Sequence, residues 1–116
     1  MSFIEFQPYI LPLLVVAFFS WRFWSARRVR AQLPALLAQG AVVVDVRSPA
    51  EYASGSRPDS LNIPLGELGQ KWSQLDRARP VILCCASGTR SGMAAVILKK
   101  NGFTHVVNAG AWKNTL

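Results

Sequence analysis

The chain has 116 residues, thirteen Lys and Arg against six Asp and Glu, and a net charge of +7, with 51% hydrophobic and only 16% charged residues. That length suits one small domain with an attachment, and the balance is more apolar than a soluble domain requires. Two adjacent cysteines and a single histidine exclude a spaced zinc site and a secreted-type disulfide framework, so no metal is expected, and the scatter of Arg47, Arg57, Lys71, Arg77, Arg79, Lys99, Lys100 and Lys113 argues against nucleic acid as a partner.

The apolar excess lies at the N-terminus. No charged side chain occurs from Phe6 to Trp21, and past Arg22 the apolar character runs on to Ala26. At about 1.5 Å per residue the uncharged part falls slightly short of a ~30 Å hydrocarbon core, a gap that Arg22 closes by snorkelling. Tyr9, Trp21 and Trp24 fall where interfacial aromatic belts sit, and Pro8 and Pro12 lie in the first turns, where proline costs least. A signal peptide would start basic, whereas Met1 to Gln7 holds Glu5 and no Lys or Arg. The expectation is a single-pass transmembrane helix in contact with membrane lipid through residues 6–26. Arg22, Arg27, Arg28 and Arg30 follow it and place the remainder in the cytoplasm by the positive-inside rule. Residues 1–30 are thus read as anchor and basic juxtamembrane segment, and 31–116 as the domain.

Downstream, helical and strand patterns alternate. Ala31–Gln39 reads as a helix with Leu33, Leu36 and Leu37 on one face and Gly40 as its stop. Val42–Val46 follows as a strand, Pro49–Ala53 as a helical turn, Leu61–Ile63 as a short strand and 65–75 as a helical region weakened by Gly66 and Gly69. Val81–Cys84 is a continuous apolar strand, Ser91–Asn101 a helix stopped by Gly102, and Val106–Asn108 the last strand. Continuous apolar strands alternating with helices predict an α/β fold, a small parallel sheet with helices on both faces. Ligands of such sheets bind beyond the strands' C-terminal ends, where Asp45–Arg47, Cys85–Arg90 and Gly110–Trp112 converge.

The loop after the third strand carries the chemistry. A thiol between a strand end, an arginine and a helix N-terminus is pushed toward its ionised form, and the backbone N–H groups of Ala86, Ser87, Gly88, Thr89 and Arg90 can hold an oxyanion or a terminal sulfur. Two cysteines compete. From Cys84 the arginine lies six residues on, as in cysteine phosphatases, but the glycine lies four on where that pattern wants three; from Cys85, Gly88 is three on and Arg90 five. Cys85 is therefore taken as the nucleophile and Cys84 as a buried hydrophobe closing the strand. Arg47 either pins its turn through hydrogen bonds or a pair with Glu51, or faces the site and attracts an anion. His105 could form a dyad with Cys85, but its position just before a strand points to an exposed turn.

Four blocks in this order resemble the rhodanese family of single-domain sulfurtransferases. They are Val42–Tyr52, Asn62–Leu65, the loop Cys85–Ser91 and Val106–Trp112. Two positions depart from the family pattern: Ser56–Ser60 stands where many members carry His-Ile and then Pro-Gly-Ala, and Ala111 replaces a glycine before Trp112. The resemblance implies sulfur transfer, because the loop has the family's short form, and a loop one residue longer is associated with its phosphatase branch. It implies Cys85 as the persulfide-bearing residue, with thiosulfate or a persulfide as small-molecule donor and a thiol or cyanide as acceptor. Loop residues 86–90, Arg47 and Trp112 are then the expected substrate contacts. The competing readings are a phosphatase or arsenate reductase using the same cup, and a non-catalytic membrane-tethered binding module.

Overall fold

The computed structural model describes residues 3–116. Met1 and Ser2 of the expected 1–30 segment lie outside them. Helix α1 (Phe3–Ala38) is continuous for 36 residues, about 54 Å. This corrects the expectation of a separate helix beginning at Ala31, for a physical reason. The joining stretch Ser25–Arg30 contains no Gly or Pro, and Ala and Arg are strong helix formers. The helix ends at Gly40, whose φ of 86° lets Gly40 N–H donate to Leu37 O and Ala41 N–H to Leu36 O, both at 3.0 Å. That cap turns the chain directly into the sheet.

Four parallel strands, β1 (Val42–Asp45), β2 (Leu61–Asn62), β3 (Val81–Cys85) and β4 (Val106–Ala111), lie in the order β2-β1-β3-β4. Alternation along the strands separates two cores. Val43, Ile82, Cys84 and Ala109 pack on Val29, Leu33 and Leu36 of α1. Val44, Val46, Val81, Leu83 and Cys85 share the other core with Leu68 of α3 (Leu65–Lys71) and with Ala94, Ala95 and Leu98 of α4 (Thr89–Lys100). Helices thus cover both faces, and the burial of Val29 shows that the domain grips α1 ahead of the expected boundary. Before the packed face, large apolar side chains of α1 from Tyr9 (63% exposed) to Trp24 (64%) project outward. By length and composition this helix can cross a membrane.

The chain leaves β1 toward β2 on one side and β3 toward β4 on the other, so the sheet's switch point lies between β1 and β3. Two differences from the expected elements shape that edge. Helix α4 starts at Thr89 rather than Ser91, placing Arg90 in its first turn. Strand β4 continues to Ala111 through a bulge, with Leu83 opposite Asn108 but Cys84 opposite Gly110. The last strand therefore runs three residues beyond the expected Asn108, and Trp112 opens a closing 3-10 turn (Trp112–Thr115).

Candidate active site

Adjacent strand residues face opposite ways, which separates the two cysteines. Cys84 sits among the α1-side residues, where burial and then the charge of Asp45 push its thiol up to about 12. Cys85 ends β3 on the α4 side, only 1% exposed beneath the loop. Burial works to raise its pKa, but hydrogen bonds from Ser91, Gly88 and Ser87 outweigh it, and the thiol lies below its ordinary value. The shortest of these is Gly88 N–H to Cys85 Sγ at 2.9 Å.

Ser91 is fully buried with its hydroxyl 3.5 Å from Sγ. It has one proton and two nearer acceptors, Asn108 Oδ1 at 2.6 Å and Gly88 O at 3.1 Å. Asn108 Oδ1 also accepts from Gly110 N–H at 3.0 Å, which fixes the orientation of the amide. Asn108 Oδ1 is thus the nearest of three acceptors for the Ser91 proton and the sulfur the most distant, while Gly88 N–H donates to the sulfur directly. Gly88 completes the turn at φ 104°, with Gly110 Cα only 3.2 Å from where a Cβ at residue 88 would stand. The bulge of β4 thus buttresses the loop from below.

The two expected arginines are both engaged. Arg90 Nη1 and Nη2 donate to Glu51 Oε1 and Oε2 at 2.7 and 2.9 Å. Glu51 is the N3 residue of a capping box with Ser48 at the start of α2 (Pro49–Ala53), and Arg90 followed by Ser48 holds its carboxyl at about 2. Arg47 is 4% exposed, donating through Nε and Nη2 to the Asp45 carboxylate at 2.7–3.0 Å and through Nη2 to Gly55 O at 2.7 Å. Its guanidinium lies 4.9 Å from the centre of the Trp112 ring. Arg47 is thus a structural pin rather than a group free to receive an anion, and its partner is Asp45, not Glu51. Trp112 is spent on the same stack.

Ala86, Ser87 and Thr89 are exposed around the mouth and Gly88 is half-buried. His105 is exposed just before β4, its carbonyl accepting from Val81 N–H at the opposite end of β3 from Cys85, about 13 Å along the strand. In the departing turn, Asp59 takes φ 65° and Arg57 donates to Thr115 O.

A groove of about 370 Å³ runs between α1 and the loop, lined by Phe18, Trp21, Arg22 and Ser25 on one wall and by Ser87, Gly88, Thr89 and Asn108 on the other. Reading the apolar segment only as an anchor missed this wall. The 18, 22, 25, 29 spacing, one helix face, was its available signal. Glu51 as partner of Arg90, and Asn108, were also missed. Ser48-x-x-Glu51 is a legible capping box, but nothing local marks Asn108.

A family profile described as a rhodanese-like domain matches residues 29–114. A protein named sulfurtransferase from Allochromatium vinosum is 36% identical over 70 residues, covering 60% of this chain and 65% of its own length, so the chain spans slightly less than two thirds of that relative. Thiosulfate sulfurtransferase GlpE from Pseudomonas syringae is 33% identical over 88 residues, covering 72% of this chain and 83% of the relative. Among solved structures, a rhodanese with anions from E. coli superposes with a TM-score of 0.61 at 36% identity, over 64% of this chain and 89% of its own.

Proposed function

The chain belongs to the rhodanese-like domain family, and from that premise we propose that it is a membrane-anchored sulfurtransferase working through a persulfide on Cys85. The observation that carries the reading is the Cys85 sulfur held at the floor of a loop whose Gly88 N–H points at it from 2.9 Å, with the thiol below its ordinary pKa. The thiolate attacks the outer sulfur of thiosulfate. The Sγ–S bond forms, the S–S bond of the donor breaks, and sulfite leaves with the electron pair. The terminal sulfur of Cys85–S–S⁻ carries the charge that the loop N–H groups of residues 86–90 stabilise. A thiolate or cyanide then attacks that sulfur, taking it as a persulfide or thiocyanate and returning the Cys85 thiolate. No cofactor enters this cycle.

The membrane part rests on the outward-facing apolar side chains from Tyr9 to Trp24, a surface water does not favour and a bilayer covers. The aromatic residues Trp21, Phe23 and Trp24 beside Arg22, Arg27 and Arg28 form the interfacial collar, with the catalytic domain on the cytoplasmic side. Mass spectrometry of the full chain after thiosulfate treatment tests the chemistry. A gain of one sulfur mapped to Cys85 is expected, and its absence, or release of phosphate from a generic ester, defeats the reading.

A further inference from the structure

Two of the cations around the loop are held by carboxylates, Arg47 by Asp45 and Arg90 by Glu51, and Arg57 spends its Nη1 on Thr115 O. The groove between α1 and the loop holds a single charged residue, Arg22, and no carboxylate. Among the described residues Arg22 makes no ion pair; its guanidinium rests 5.7 Å from the centre of the Phe18 ring. Its place is set by the fold. Phe18, Arg22, Ser25 and Val29 follow one another at helical spacing on one face, and Val29 is locked in the α1-side core. With α1 unbroken, Arg22 is held about 10 Å up the helix from Val29, opposite Ser87, Gly88 and Thr89. Ser25, Ser87, Thr89, Asn108 and Asn114 supply neutral polar groups around it.

We infer that Arg22, a residue outside the matched domain, is the anion-recruiting residue of the Cys85 site, holding a small oxyanion in the groove between α1 and the loop. The inference rests on the reading of Cys85 as a reactive thiolate. A guanidinium offers paired donors in the fork geometry that an oxyanion accepts. A sulfur-bearing oxyanion from solution and the phosphate of a lipid headgroup share this chemistry, since Arg22 stands at the end of the apolar stretch.

The test compares alkylation of Cys85 by iodoacetate, an anion, with alkylation by its neutral counterpart iodoacetamide, on the full chain in neutral detergent. Arg22→Gln is expected to lower the iodoacetate-to-iodoacetamide rate ratio about three- to ten-fold, with Arg22→Lys recovering most of it. Arg28→Gln removes the same charge from a residue that does not line the groove, and leaves the ratio unchanged. An unchanged ratio in Arg22→Gln, or an equal drop in Arg28→Gln, overturns the inference. In vesicles of phosphatidylcholine with phosphatidylglycerol, a wild-type advantage that persists over Arg22→Gln assigns the groove to soluble oxyanions. An advantage seen in detergent and lost there assigns it to lipid phosphate. Alkylation needs only a thiolate, so failure of sulfur transfer leaves this readout intact, whereas a Cys85 inert to both reagents removes the reading beneath it.

Discussion

Arg90 and Glu51 join the first turns of two helices. The guanidinium meets both carboxylate oxygens at 2.7 and 2.9 Å, while Glu51 Oε1 also accepts from Ser48 N–H at 3.2 Å. One carboxylate therefore caps α2 and anchors the start of α4, which follows directly on the loop around Cys85. Arg90 thereby braces the loop that holds the sulfur.

The first prediction follows from this division of roles. Arg90→Ala and Glu51→Ala should each lower kcat/KM for thiosulfate about ten-fold, and the double variant should fall within about two-fold of the worse single, because both remove the same tie. Steady-state kinetics on the three variants reads this directly. Additive losses would mean that Arg90 contacts the donor independently of Glu51.

The pair also sets a pH window. Glu51 titrates at about 2 in the folded chain, against ~4.3 for a free glutamate. A depressed carboxyl contributes stability that is complete above the unfolded value and is lost as pH falls through the folded one. The difference in Tm between wild type and Glu51→Gln should hold steady above about pH 5 and shrink between about pH 4.3 and 2. A difference that stays constant down to pH 2 would show that the pair does not form in solution.

Donors to the sulfur can be ranked by mutation. Since the Ser91 hydroxyl has two acceptors nearer than the sulfur, Ser91→Ala should raise the midpoint of Cys85 alkylation by less than about 0.5 pH unit. Gly88→Ala should raise it, because a side chain at φ 104° and 3.2 Å from Gly110 Cα forces the N–H off the sulfur, with a stability cost of about 1–3 kcal/mol. Iodoacetamide alkylation against pH, beside thermal unfolding, checks both. The reverse ranking would make the hydroxyl the principal donor.

The two cysteines give a sharper contrast. Cys85→Ser should abolish sulfur transfer, while Cys84→Ser buries a hydroxyl on the α1 side of the sheet at a cost of about 1–3 kcal/mol and keeps most of the activity. A thiosulfate:cyanide assay on folded variants distinguishes them.

What was legible in the chain was local. The apolar runs placed four strands, and the spacing of Cys85, Gly88 and Arg90 marked the loop, because each feature depends on residues a few positions apart. Partner choice was not local. Glu51 is 39 positions from Arg90, and a local rule that pairs Arg47 with its nearest helix-start carboxylate misses that Asp45, two residues back, already faces it. The bulge in β4 exists where Gly110 meets Gly88, a contact no strand propensity encodes. The continuity of α1 was readable in principle from the missing breaker between residues 26 and 31, but dividing the chain at a functional boundary hid it.

That continuity decides how the chain can be cut. Val29 is buried against the sheet beside Leu33 and Leu36, so a deletion through Ala26 keeps the whole packed face of α1, whereas a deletion through Arg30 removes Val29 and exposes the apolar surface beneath it. The shorter deletion should give a folded domain in the soluble fraction. The longer one should be about 1–3 kcal/mol less stable, a Tm lower by about 4–8 °C for each kcal/mol in a domain of this size. Thermal unfolding of the two truncations measures the difference, and fractionation of cells beside the intact chain tests the anchor. Equal Tm values would show that Val29 contributes nothing to the core, and an intact chain recovered in the soluble fraction would defeat the membrane assignment of the residues before it.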